Sequence, residues 1–352
     1  MPPKQRPLLI GLSAGGDKIE LAEEGLGLEH IEELMVRLAM RLLQQEFRLA
    51  FGGNLVEEEA PLTEHLINAA LNWQSNRPVP SKQDPRGETV EVNNPSTWPL
   101  LNYSAWPQSL KIDPQRQARL VGVCEFRMVR PKDTSEAELL RFSTDLEHDP
   151  AARRRNADAL TEMRVQSTVA CDLRIVWGGR IRKSKGWLPG ILEEVYLTLQ
   201  KKKPVLILGG FGGCAGKLAK YLKTPPREKQ IDKPNEKPVD DWPNELSLDA
   251  SADNLRDSLL TEAERAYLHS RFEACKAAIR EYRANLHRAN PATSDRKPTG
   301  RAKLAEDSTD LLTRHRQRRI HGLKVATILD ALDIGNPRDA IRKSVEAAAD
   351  LR

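Results

Sequence analysis

The sequence predicts a doubly wound, mostly parallel α/β sheet with a C-terminal helical extension, and three observations predict it. Short apolar runs recur and close on glycine. Segments with helical periodicity lie between them. The connection from Gly178 to Pro204 holds a helical pattern and is far too long for a hairpin, as a crossover between parallel strands requires, and such crossovers are right-handed.

In order, Leu8 to Leu12 is a continuous apolar run ending on Ser13-Ala14-Gly15-Gly16, the pattern of a strand buried on both faces. Glu29 to Gln45 places Ile31, Leu34, Met35, Leu38 and Leu42 at helical spacing. Arg48 to Phe51 is a second strand closing on Gly52-Gly53-Asn54. Pro61 to Trp73 follows as a helix with Pro61 suited to its first turn. Gln74 to Trp98 is polar, carries Pro78, Pro80, Pro85 and Pro95, has no periodicity and reads as a surface insertion. Leu100 to Asn102 resumes the sheet, and Arg119 to Val129 is strand-like through Val121, Val123 and Phe126. Helical stretches follow at Ser135 to Phe142 and from Pro150 to about Thr168. Leu173 to Trp177 is a strand ending on Gly178-Gly179-Arg180. Gly190 to Gln200 is a helix with Ile191, Leu192, Val195, Tyr196 and Leu199 on one stripe, and Pro204 to Leu208 is the last strand. The α/β domain therefore spans 1–223, with its insertion at 74–99. The proline-rich, charged stretch 224–250 reads as a linker. Residues 251–352 form a helical region, in which Leu255 to Ala289 is a long charged helix with a partial stripe of Leu259, Ala263, Ala266, Tyr267 and Phe272.

A chain of 352 residues with 39% hydrophobic and 30% charged residues is long enough for an ordinary core and polar enough to be soluble. No apolar run approaches a membrane span, and the N-terminus lacks a secretory apolar region, so the expected location is the cytoplasm and no membrane partner is expected. Cys124, Cys171, Cys214 and Cys275 are scattered without a C-x-x-C pair, which predicts buried thiols, no disulfide framework and no metal site. No cofactor is expected. A net charge of +5 permits a nucleotide or nucleic-acid partner without requiring one.

In an open parallel sheet, ligands bind outside the carboxyl ends of the strands, where glycine lets backbone N–H groups approach a phosphate and helix N-termini add positive potential. Five clusters are expected on that rim: Gly11 to Gly16 with Ser13, Gly52-Gly53-Asn54, Gly178-Gly179-Arg180, Pro189-Gly190, and Gly209-Gly210-Phe211-Gly212-Gly213. Two patterns mislead. Gly210 to Ala215 satisfies G-x-G-x-x-A, yet it follows the last strand and no acidic ribose partner comes about twenty residues on. Gly216-Lys217 resembles the end of a P-loop, yet Phe211 stands in place of its first glycine and Leu218 in place of its Ser/Thr.

The segments GLSAGGD at Gly11, RLAFGGNL at Arg48, NYSAWP at Asn102, ALTEMR at Ala159, ACDLRIVWGGRI at Ala170, LPGILEEV at Leu188 and PVLILGGFGG at Pro204 together resemble the SLOG superfamily. This is the Rossmann-like fold shared by DprA/Smf proteins and LOG phosphoribohydrolases, and the likeness is nearest to a bacterial branch met in defence-associated genes. LOG enzymes cleave the N-glycosidic bond of nucleoside monophosphates with an arginine upstream of a P-G-G-x-G-T-x-x-E motif. The resemblance puts Arg164 at that arginine and Glu194 at the final glutamate. It departs where an insertion separates Gly178-Gly179 from Pro189-Gly190 and where Ile191 replaces the phosphate-binding threonine.

Several candidate residues keep two readings. Glu193 and Glu194 suit the first turn of a helix through the macrodipole, and Glu194 equally suits a ribose-hydroxyl acceptor or a general acid/base. Arg164 clamps a phosphate or pairs with neighbouring Glu162. Asn54 and Asn102 recognise a base or ribose, or serve turns. Trp187, beside the Pro-Gly pair, is placed to cover a bound base. The basic run Arg314 to Arg319 is a solvated helix face or a nucleic-acid contact. The leading expectation is a sensor of a nucleotide or nucleotide-derived second messenger, in an antiviral defence setting, that relays binding to the C-terminal helices, to oligomerisation or to an effector protein. The alternatives are a LOG-like nucleotide N-glycosidase acting through Arg164 and Glu194, and DprA-like DNA binding.

Overall fold

The computed structural model describes residues 7–16, 18–53, 61–76, 98–182, 184–226, 241–247 and 260–289. Its strands are β1 (Leu9–Gly15), β2 (Arg48–Gly52), β3 (Leu100–Ala105), β4 (Cys124–Val129), β5 (Leu173–Gly178) and β6 (Val205–Leu208). The helices are α1 (Lys18–Glu23), α2 (Leu28–Gln44), α3 (Pro61–Ser75), α4 (Pro114–Arg119), α5 (Glu136–Leu139), α6 (Pro150–Ala170), α7 (Gly190–Gln200), α8 (Gly213–Lys223) and α9 (Glu262–Ala289). The strands form one sheet in the order β4-β3-β2-β1-β5-β6, with every neighbouring pair parallel. From β1 the chain winds outward through β2, β3 and β4, then returns to the other side of β1 for β5 and β6. The direction reverses between β1 and β5, which makes their carboxyl ends the switch point of the fold.

Helices cover both faces, so β1 is buried along most of its length and β3 along all of it. Ile10, Leu12, Leu49 and Phe51 pack with Leu34, Leu38 and Leu42 of α2 and Leu66 of α3. On the opposite face Leu101, Tyr103 and Ala50 pack with Ala152, Ala159 and Met163 of α6. A third cluster joins Val176 of β5 to Ile191, Leu192 and Val195 of α7, Leu218 of α8, and Leu268, Phe272, Cys275 and Ile279 of α9. Trp242 and Leu246, within the expected linker, are buried in the same cluster. The helix α6 starts with Pro150 behind Asp149, whose side chain accepts the Ala151 N–H, and ends where Lys203 Nζ donates to the carbonyls of Thr168, Val169 and Cys171 at 2.6–2.9 Å.

Three elements differ from expectation. The strand expected from Arg119 starts only at Cys124, because Asp113 caps a helix at Pro114 and carries it to Arg119; a turn follows, with Val121 exposed. The helix α7 has no solvent-exposed face from Ile191 to Thr198, since sheet, α6, α8 and α9 enclose it. On α9, Ala263, Ala266 and Tyr267 are exposed, and the buried stripe runs through Leu268, Phe272, Cys275 and Ile279 instead. Leu259, the insertion at 77–97 and the basic run Arg314 to Arg319 lie outside the described residues. All four cysteines are free and buried.

Candidate functional site

Parallel strands bring their carboxyl ends to one edge. There Gly15 of β1 and Gly178 of β5 are register partners, and the Gly179 N–H donates to the Gly15 carbonyl at 2.7 Å. Arg180 follows, exposed and without a partner among the described residues. Gly52 and Gly53 close β2 on the same edge, and Pro189-Gly190 opens α7 there. Asn102, fully buried on β3, donates through Nδ2 to the Gly53 carbonyl at 3.3 Å, while its Oδ1 has no partner. Asn54 lies outside the described residues.

Gly11 of the first expected cluster and the whole of the last cluster have a different role. Gly11 is in mid-strand, paired with Ala50 and Arg174, and a Cβ there would meet Cys171 Sγ at 3.0 Å and Arg174 Cζ at 3.3 Å. The loop from Gly209 to Gly213 backs onto the β5 loop. Gly213 has φ +58° and a Cβ would stand 2.4 Å from the Gly179 carbonyl oxygen, which also accepts the Cys214 N–H at 2.9 Å. Phe211 is buried in the core, a Cβ on Gly209 would meet Ala219, and Gly210 is half-buried. Positive φ and close backbone contact explain this glycine run without a phosphate.

The adjacent glutamates of α7 point to two different arginines. Glu193 is fully buried and its oxygens are saturated: Oε2 accepts from Arg164 Nη1, while Oε1 accepts from Thr161 Oγ1 at 2.9 Å and from Arg271 Nε and Nη2 at 3.0 and 2.5 Å. Burial alone pushes the Glu193 carboxyl up; Arg164 and Arg271 overcome it and hold the group below the usual carboxylate range. The Arg164 guanidinium lies against Gly186 and Gly190, where a Cβ would come within 2.6 and 3.1 Å of its nitrogens. Arg164 therefore pairs with Glu193 rather than with Glu194 or with the expected Glu162, whose carboxylate accepts from Gln166 Nε2 at 2.9 Å. Trp187 is likewise taken up, its indole N–H on Asp158 at 2.7 Å and its ring edge-on to Tyr267 of α9.

Glu194 turns toward the sheet. Arg174 of β5, 2% exposed, runs across the space left by Gly11 and donates through Nη1 to Ser13 Oγ at 2.7 Å, with Glu194 Oε1 3.3 Å from the same nitrogen. Its Nη2 donates to Ser167 Oγ and Thr168 Oγ1 of α6 at 2.9 and 3.2 Å. Glu194 Oε2 takes no partner among the described residues, and 11% of the side chain remains exposed. Sequence reasoning missed Arg174 and Arg271. A lone arginine inside the apolar run Leu173 to Trp177 was a readable sign that its charge is buried and must be paired; Arg271 on a charged helix gave none.

The family model described as SLOG cluster2 matches residues 4–258. The chain belongs to the SLOG cluster2 family. Neither a curated protein nor a solved structure matches it. Membership in SLOG points to nucleotide-related binding or processing, and the six-stranded parallel sheet with helices on both faces is the Rossmann-like fold expected of it. The matched segment of this SLOG chain ends before α9, although α9 contributes to the third core cluster and supplies Arg271 to Glu193. Among the described residues no helix is long and apolar enough to cross a membrane, and no group of three His, Cys, Asp or Glu could hold a metal ion. Among the described residues this edge holds Arg180 without a partner and the partly exposed carboxylate of Glu194.

Proposed function

We propose that this SLOG chain is a sensor that binds a nucleotide or nucleotide-derived messenger in the crevice between the carboxyl ends of β1 and β5. The carrying observation is the pair of register-matched glycine ends at Gly15 and Gly178, flanked by unpartnered Arg180. Backbone amides and Arg180 suit the phosphate, and Glu194 suits a ribose hydroxyl. Binding is favoured over hydrolysis because Arg164, the arginine a LOG-like reaction would use, is 8% exposed and engaged by Glu193. The same glutamate joins α7 to Arg271 of α9, which gives a bound ligand at the start of α7 a direct contact through which to bias the C-terminal helix.

Thermal-shift screening against mono-, di- and cyclic nucleotides and ADP-ribose tests this. A ligand at a hundred times its dissociation constant stabilises by about 2.7 kcal/mol, and each kcal/mol moves the melting point by about 2 to 4 °C in a domain of this class. Arg180→Ala is expected to abolish the shift. No shift with any of these compounds overturns the reading. Steady release of free base that Glu194→Gln abolishes replaces it with the hydrolase.

A further inference from the structure

We propose that Arg174 is a positioning residue for the ligand site, holding Glu194 with one carboxylate oxygen inward and the other presented to a vicinal diol of the ligand. This rests on the nucleotide reading above.

The contrast between the two glutamates carries the inference. They are neighbours at the start of one helix, and both face buried arginines. Glu193 gives every acceptor direction to the protein and is fully closed, as an ion pair that only joins elements should be. Glu194 has one oxygen 3.3 Å from Arg174 Nη1, no partner on the other among the described residues, and a side chain 11% exposed against 2% for Arg174. A buried ion pair left half-satisfied is costly unless something else completes it.

The rest of the Arg174 shell fixes the guanidinium from the far side. Ser167 and Thr168 hold Nη2, so Nη1 is directed at Ser13 and Glu194 and cannot swing away. Gly11 keeps the floor beneath it clear, since a side chain there would meet Arg174 Cζ. Ser13 spends its oxygen as an acceptor for Arg174, which frees its own hydroxyl hydrogen to donate. A free carboxylate oxygen and a free hydroxyl hydrogen, both set by one arginine, match a diol, which both donates and accepts. An arginine fork fixes two such partners together in a way a flexible ammonium does not.

The test measures dissociation constants of AMP and of 2′,3′-dideoxy-AMP by calorimetry on the full chain, for the wild type, Arg174→Lys and Arg174→Met. The wild type should favour AMP by about tenfold or more, the worth of one hydrogen bond to a charged group. Arg174→Met should erase that preference while changing the dideoxy affinity by less than about twofold, and Arg174→Lys should retain part of it. A merely structural arginine would weaken both ligands equally, and that result overturns the inference. If Arg174→Met does not fold, Arg174→Lys alone decides: an unchanged preference overturns the inference and a reduced one supports it. A wild type that binds both compounds equally, or neither, overturns this inference alone, whereas the nucleotide reading falls only if the wider screen above also finds no ligand.

Discussion

Replacing each glutamate of α7 by its amide separates the two arginine networks. In Glu193→Gln, four donors from Thr161, Arg164 and Arg271 converge on a group that has lost its charge and one acceptor oxygen. The new NH2 must face an arginine N–H inside a fully closed site, and Arg164 keeps its charge without a counterion. Breaking a buried pair from one side costs about 3 to 5 kcal/mol. In Glu194→Gln the amide oxygen can stay beside Arg174 Nη1, its NH2 can take the open side, and Arg174 keeps the hydroxyls of Ser13, Ser167 and Thr168. That loss should be about 1 to 2 kcal/mol, near the range of a single hydrogen bond. Urea unfolding followed by tryptophan fluorescence compares the two at equal slope. Ligand binding should rank them in reverse, with Glu194→Gln impaired and Glu193→Gln, once folded, retaining affinity at the β1/β5 end. If Glu194→Gln destabilises as much as Glu193→Gln, the division between a structural and a ligand-facing glutamate is wrong.

The Glu193 carboxyl lies below its ordinary range in the folded protein, so its contribution is present at neutral pH and is lost as pH falls below about 4. The wild type should lose stability toward acid more steeply than Glu193→Gln between about pH 5 and 3, and parallel curves would refute this. Gly213→Ala should destabilise more than Gly25→Ala in the same unfolding assay. Both positions have positive φ, which costs a non-glycine residue about 1 to 2 kcal/mol, but only at Gly213 does the new Cβ also strike a carbonyl oxygen, at 2.4 Å, while at Gly25 it meets nothing.

The apolar runs at Leu9, Arg48, Leu100, Leu173 and Val205 were legible as strands because a sheet covered on both faces needs no polar alternation. Val121 and Val123 imitated a strand at a helix end, since alternation over a few residues also fits a turn after a capped helix. The carboxyl-edge glycines were readable as a group, but not which backbone or side chain each of them packs against. Gly178 and Gly213 have positive φ and face backbone, whereas Gly52 has no positive φ and faces the Met163 side chain, a difference the three glycines do not show in sequence. The pairing of Arg164 with Glu193 rather than Glu194 depends on a rotation of about 100° per residue around α7, set by which side of the helix meets α6 and which meets the sheet.

Arg271 sits outside the stretch shared with other SLOG cluster2 chains, yet it supplies two of the donors on a glutamate inside that stretch. The shared unit is therefore not freely transplantable. Any protein that carries this α7 with Glu193 must bring its own cation to the spot, from a following helix or a different appendage, so whatever follows the shared stretch sets how firmly the start of α7 is tied down.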